Sequence, residues 1–208
     1  FMFMKRFIVT LLAVFAAVTV SAQDLRWGVA GGLNFAWERA KAAGVKVSSD
    51  SYIGFQVGAK AEMDFSSYLI DGFYLEGSLL YNLKGGSYSG SHSNLGYLQL
   101  PVNLGYRLTF SGDVSLLGSL GPYFGLGVLG KDVEKVSGAK VKTDVFGTRL
   151  QRFDFGLNYK LGVEVWDQWQ FYLGLEHSLL NLAKKNLDGE ALGKMHLVNF
   201  YIGTAYMF

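Results

Sequence analysis

YIGFQVGAKAEMDF, residues 52–65, reads as two interleaved sequences. Ile53, Phe55, Val57, Ala59, Ala61, Met63 and Phe65 form one, and Gly54, Gln56, Gly58, Lys60, Glu62 and Asp64 form the other. Successive side chains of a strand point to opposite faces, so this is a strand with one apolar and one polar face. Its fourteen residues are well beyond the usual length of about five or six.

The same period of two recurs in seven more segments, at 25–37, 73–83, 95–110, 113–129, 149–166, 168–180 and 198–208. In RLQRFDFGLNYKLGVEVW, for example, Phe153, Phe155, Leu157, Tyr159, Leu161, Val163 and Val165 share one parity. Arg152, Asp154, Asn158, Lys160 and Glu164 share the other. No helical period competes over a comparable length. The connections alternate long and short: about fourteen residues, then seven, eleven, two, nineteen, one or two, and seventeen. Long loops therefore gather at one end of an up-and-down meander and tight turns at the other. That asymmetry and an even strand count predict an all-β fold, an eight-stranded antiparallel up-and-down transmembrane β-barrel with short periplasmic turns. KDVEKVSGAKVKTD, residues 131–144, alternates well enough to extend its strands outward as a hairpin.

Alternation alone does not separate a membrane barrel from a soluble lipocalin-like one, since each has one apolar and one polar face. Glycine placement separates them. The lumen of an eight-stranded barrel is only just wide enough for side chains, so its inward face needs small residues opposite large ones. Twelve strand glycines, Gly28, Gly58, Gly105, Gly174 and Gly203 among them, share the polar face, against four on the apolar face. The polar face is thus the crowded inner one, and the bulky apolar face points to lipid. Aromatic residues cluster near strand ends as interfacial girdles require. Trp27, Phe65, Phe73, Phe110, Trp169, Tyr206 and Phe208 mark the short-turn end, and Phe35, Trp37, Tyr81 and Phe200 lie toward the other. Trp166 breaks its strand's parity, which implies that the tight turn redirects it. Pro101 and Pro122 each remove a ladder hydrogen bond inside a strand, and a bulge or local kink is expected at each.

From Met4, Lys5 and Arg6 precede an apolar run from Phe7 to Val20 and then Ser21-Ala22. These are the three parts of a secretory signal peptide, and the run is too short to span a bilayer, which takes about twenty residues. Residues 1–22 are read as signal peptide with a short upstream extension, and 23–208 as the barrel domain, exported by the general secretory route. Without Lys5 and Arg6 the chain carries 17 basic and 17 acidic residues. No basic footprint for nucleic acid remains. Cysteine is absent, which excludes a disulfide framework and thiolate metal sites.

WGVAGGLNF at 27–35, GYLQLPVNLGY at 96–106, GPYFGLGVLG at 121–130, DFGLNYKLGVEV at 154–165 and HSLLNL at 177–182 resemble the small outer-membrane barrels of Bacteroidetes, the PorT-like or porin-family proteins. The resemblance spans the mature chain. It implies the fold, the bacterial outer membrane, and lipid and lipopolysaccharide as surroundings, and it brings no residue motif of activity. The last strand, with Phe200, Ile202, Tyr206 and the terminal Phe208 on one parity, resembles the signal read by the barrel-assembly machinery, which implies that machinery as a transient partner.

The polar face carries Lys60, Arg107, Arg152 and Lys160 against Glu62, Asp64, Glu76, Asp154, Glu164 and Glu176. An unpaired charge in so narrow a lumen would cost several kcal/mol, so an ion-pair network that plugs the lumen is expected. Large inward groups such as Tyr97, Tyr123, Tyr172 and Tyr201 oppose an open channel. The alternative is a small-solute pore with mixed charges setting selectivity. A third reading is a lipid A modifying enzyme built on Glu176, His177 and Ser178. Adjacent strand residues point to opposite faces, however, so His177 cannot reach Ser178 as a base. Three scattered histidines give no metal spacing, and no catalytic residue, metal or cofactor is assigned. The long loops offer a surface for an extracellular ligand or protein.

Overall fold

The structure, a computed structural model, describes residues 25–42, 45–66, 70–88, 91–136, 139–184 and 193–208; the expected signal peptide lies outside them. Among these residues ten strands form: β1 (Leu25–Ala42), β2 (Val45–Ser48), β3 (Tyr52–Asp64), β4 (Phe73–Tyr88), β5 (Ser91–Ser111), β6 (Val114–Val136), β7 (Ala139–Asp144), β8 (Phe153–Val165), β9 (Trp169–Ser178) and β10 (Lys194–Met207). Eight of them close a ring in the order β1-β3-β4-β5-β6-β8-β9-β10, with β10 pairing back to β1 from Gly28↔Met207 to Lys41↔Lys194. Every pairing is antiparallel. A closed ring leaves no edge, the condition for β-structure in hydrocarbon. β2 and β7 stand outside it, pairing with the outer extensions of β1 and β6.

Burial follows parity. β9 alternates strictly along WQFYLGLEHS: Trp169, Phe171, Leu173 and Leu175 are exposed, and Gln170, Tyr172, Gly174 and Glu176 are buried. Around the ring Leu33, Ile53, Leu120 and Leu161 are 55%, 65%, 57% and 67% exposed, while Asn34, Lys60, Glu76 and Gln99 are at most 2% exposed. The apolar face is therefore the outer one. On β1 that face runs from Trp27 to Trp37, ten residue steps or roughly 33 Å of strand. Tilted at about 40°, it covers the apolar band of about 25 Å that outer-membrane barrels present. Edge-on aromatic contacts gird the short-turn end, Trp169–Tyr206 at 5.0 Å, Tyr206–Phe208 at 5.4 Å and Phe73–Tyr106 at 5.3 Å.

Large inward rings sit on inward glycines of neighbouring strands. A Cβ on Gly174 would lie 1.9 Å from the Tyr201 ring, and one on Gly105 2.2 Å from that of Tyr74. Outward Gly31 and Gly118 have no atom nearer than 3.6 and 3.5 Å. Part of the glycine asymmetry is thus the imprint of lumen tyrosines, while Gly32, Gly54, Gly58 and Gly121 admit the backbone of a neighbouring strand instead.

Several sequence expectations need correction. Several strands run further outward than their apolar parity suggested: β4 reaches Tyr88, β5 starts at Ser91 and β10 at Lys194, whereas β8 starts only at Phe153 and β9 ends at Ser178, inside the expected 149–166 and 168–180. Backbone pairing continues where the outer face has left the lipid and turned polar, and parity of hydrophobicity is blind to that. The prolines cause no register shift. The β4–β5 ladder skips only Ser78, Leu79, Leu100 and Pro101 and resumes in the same register. The β5–β6 ladder does likewise at Val102, Asn103, Gly121 and Pro122. Each missing N–H lies in one of these gaps, so a local loss of pairing suffices. The register shifts occur instead at Gly96/Tyr97 and Thr109/Ser111. Trp166 and Asp167 both take left-handed φ values, 55° and 56°, in the turn between β8 and β9, which accounts for the broken parity of Trp166.

Candidate functional site

Inward parity puts polar side chains from all around the ring into one narrow column, which divides into three levels. The lowest, near the short turns, centres on three carboxylates. Lys60 Nζ lies 2.9 Å from Glu62 and 2.8 Å from Glu76, and donates to Gln170 Oε1 at 2.5 Å. Lys160 binds Glu76 from β8, and Asn103 donates to the same carboxylate at 2.7 Å. Arg107 bridges Glu62 at 2.8 Å and Glu164 at 2.9 Å. Arg26 reaches Glu164 at 2.9 Å, and Gln170 donates to both Glu62 and Glu164. Lys60, Glu62, Glu76 and Glu164 are each at most 2% exposed. Burying them is tolerable because every charge has an opposite partner and further hydrogen bonds. Lys160 and Arg107 also lie over the rings of Tyr172 and Tyr74, at 5.0 and 5.1 Å.

The middle level holds Lys84 and Glu176, 2.5 Å apart. Lys84 donates to Gln99 at 2.8 Å, Gln99 donates to Glu176, and Asn199 donates to Glu176 at 3.0 Å. Asn34 continues the chain to Asn82 at 2.6 Å. Between the levels, the cavity lined by Gln56, Lys60, Glu76, Asn158, Lys160 and Tyr201 has a volume of about 20 Å³, room for roughly one water.

The outer level is a latch under an apolar cap. Arg149, in the segment between β7 and β8, donates twice to Asp132 at 3.0 Å, to Glu38 at 3.1 Å and to Ser93 at 3.0 Å. Tyr88 donates to Glu38 at 2.8 Å. Burial opposes the Arg149 charge, but Glu38 and Asp132 outweigh it and raise its pKa further. The same segment turns Val145, Phe146 and Leu150 into the barrel mouth, where they pack with Leu95, Tyr97, Leu182, Met195 and Leu197. Phe146 meets Tyr97 edge-on at 5.5 Å.

Of the residues singled out from sequence, Lys60, Glu62, Glu76, Arg107, Lys160 and Glu164 meet in the lowest level. Glu176 lies in the middle one. Three depart from the expected network. Arg152 precedes β8, is exposed, and donates to the Gly127 carbonyl at 2.9 Å while lying over Phe146; parity does not bind a residue outside the ladder. Asp64 is at the rim, 4.0 Å from Arg107, and caps the turn by accepting from Ser66 N–H at 2.7 Å. Asp154 is buried but accepts from two hydroxyls, Tyr123 at 3.0 Å and Ser178 at 2.5 Å, and forms no salt bridge among the described residues. Sequence reasoning missed Arg26, Asn34, Glu38, Lys84, Gln99 and Gln170, all at inward parity. Extending each strand two residues outward would have found Glu38 and Lys84.

Ser178 points into the lumen, whereas half-buried His177 faces outward and stacks on His196 at 6.3 Å. The pair therefore forms no base–nucleophile contact. Among the described residues, no group of three His, Cys, Asp or Glu is placed to hold a metal ion. Phe200, Ile202, Tyr206 and Phe208 lie on the outer face at the β10 end of the seam.

The chain is similar to several solved outer-membrane barrels. The attachment invasion locus protein Ail of Yersinia pestis is 17% identical, with 89% of this chain and 100% of that one covered and a TM-score of 0.44. OprG of Pseudomonas aeruginosa is 14% identical over 88% and 94%, with a TM-score of 0.45. Neisserial surface protein A is 12% identical over 86% and 97%, with a TM-score of 0.41. No curated protein matches. The family model described as the outer membrane protein beta-barrel domain matches residues 7–208. With a closed ring of eight antiparallel strands, an apolar outer face and a match over nearly its whole length, the chain belongs to the outer membrane protein beta-barrel domain family.

Proposed function

We propose that this outer-membrane barrel is non-enzymatic and closed, serving as a structural protein or a rigid platform for its outer hairpins and loops. The observation that carries this reading is the Lys84–Glu176 bridge with the cap above it. Four inward tyrosines, Tyr74, Tyr97, Tyr123 and Tyr201, each at most 3% exposed, fill the space that ions would need. The lumen charges thus serve the barrel's own cohesion. The test is single-channel recording of the refolded protein in planar bilayers. A closed barrel gives no steady current, whereas stable unitary steps favour the small-solute pore. For enzymatic lipid A modification, lipid A mass spectra from cells expressing wild type or His177→Ala should be identical.

The five segments quoted above support a place among the PorT-like small barrels of Bacteroidetes. Residues 1–22 act, in this proposal, as a signal peptide for the general secretory route. Phe200, Ile202, Tyr206 and Phe208 are read by the assembly machinery, and deleting Phe208 should slow insertion in a reconstituted assembly assay.

A further inference from the structure

The outer face of β1 changes character abruptly. After Trp37 its next outward residues are Arg39 and Lys41. The registers set cations on both neighbouring strands beside them: Lys41 opposes Lys194 of β10 on one side and Lys46 of β2 on the other. One step down, Arg39 lies between His196 and Ser48. Three lysines thus form a row across three strands, spanning about 10 Å at the usual strand spacing, with Arg39 and His196 beneath. Together with Ser48, Ala40 and Val47 these five residues line a groove of about 410 Å³. Arg39, Lys41, Lys46 and Lys194 are exposed, and none has an ion pair with a described residue. Glu38, within the same stretch, points inward to Arg149. The other projecting hairpin also sets lysines opposite each other, Lys135 with Lys140, but there an acid, Asp144, opposes Lys131 in the same ladder.

Like charges directly opposite each other on adjacent strands destabilise the pairing unless an anion lies between them. The patch begins where the apolar band ends, at the depth of the outer-leaflet headgroups. Its concavity, donors and height together select a multiply charged anion carried by a lipid. We propose that the Arg39/Lys41/Lys46/Lys194 groove binds the phosphate groups of a phosphorylated glycolipid of the outer leaflet. The site deepens the reading of lipopolysaccharide as a neighbour and is independent of whether the lumen conducts.

The test is native mass spectrometry of the folded protein in detergent, titrated with bisphosphorylated lipid A, with the same lipid dephosphorylated, and with inorganic phosphate. Wild type should retain the phosphorylated lipid and not the dephosphorylated one. The R39Q/K41Q/K46Q/K194Q variant should lose about tenfold or more in retention. K131Q/K142Q on the other hairpin should behave as wild type, and millimolar inorganic phosphate should not displace the lipid. Should the fourfold variant fail to show a folded barrel's gel mobility, Lys194→Gln alone should still lower retention severalfold. Unchanged retention in the variants, equal retention of the dephosphorylated lipid, or displacement by free phosphate would each overturn the proposal. Bilayer conductance of the same variants should equal that of wild type, which separates failure here from failure of the closed-lumen reading.

Discussion

Lys84 and Glu176 meet at 2.5 Å from diametrically opposite strands, β4 and β9, four places apart in the ring of eight. The bridge crosses the full lumen, and both groups are at most 2% exposed. Lys84→Met leaves the Glu176 carboxylate buried against Gln99 and Asn199 with no cation. The expected loss is about 3 to 5 kcal/mol in urea unfolding from lipid vesicles. Adding Glu176→Gln should restore most of it, because replacing both charges removes the uncompensated one. A double mutant as unstable as the single would show that the pair is not the coupled unit described.

Tyr201 lies against Gly174, so a methyl group there has nowhere to go. Gly174→Ala should destabilise by about 1 to 3 kcal/mol through overpacking. Tyr201→Ala in the same chain should relieve part of that loss. Gly118→Ala, on the outer face with its nearest atom 3.5 Å away, should change stability by less than about 0.5 kcal/mol. Denaturant midpoints of the four proteins decide the matter.

How much of this was legible in the sequence varies with what holds each residue. Within the bilayer two solvents act on the two faces of a strand, so period two is enforced at every position. The outward face of β8 and the inward placement of Lys60, Glu76 and Glu164 were readable for that reason. Beyond the bilayer the outer face meets water, and alternation fades while pairing persists. Parity therefore ends at Leu83, one residue before Lys84, and leaves Gly85 and Gly86 outside the alternating segment although β4 runs through them. The cap was illegible for another reason. Val145 and Phe146 are a lone apolar pair in a polar connection and Leu150 falls at the start of the 149–166 segment, and only the ring's closure shows that they overhang Leu95, Tyr97 and Leu197.

Leu33 is 55% exposed and midway between Trp27 and Trp37 along β1. On a water-facing surface a substitution there would stay within about 0.5 kcal/mol. Facing acyl chains near the midplane, Leu33→Arg should cost about 2 to 4 kcal/mol, and Lys41→Leu, above the band, should cost little. Equal small effects at both sites in vesicle unfolding would place water on the apolar face and undo the outward orientation.

Arg149 is the hinge pin of the outer mouth, since it ties the segment between β7 and β8 to Glu38 of β1, Ser93 of β5 and Asp132 of β6 at once. Removing it leaves Glu38, fully buried, with Tyr88 as its remaining donor. In Arg149→Ala the 145–150 segment should leave the mouth far more often, because each lost charge-assisted bond contributed about 1.5 to 3 kcal/mol. Limited proteolysis of intact proteoliposomes checks this: cleavage near residues 145–150 should speed up at least tenfold over wild type, while the strands stay protected. Phe146→Ala removes the ring packed on Tyr97 without touching the latch and should give a smaller acceleration. If conductance stays at zero in both variants, the Lys84–Glu176 bridge and the tyrosines below it close the lumen without the cap. Steady current confined to Arg149→Ala would make the cap the principal barrier and the lower levels permeable.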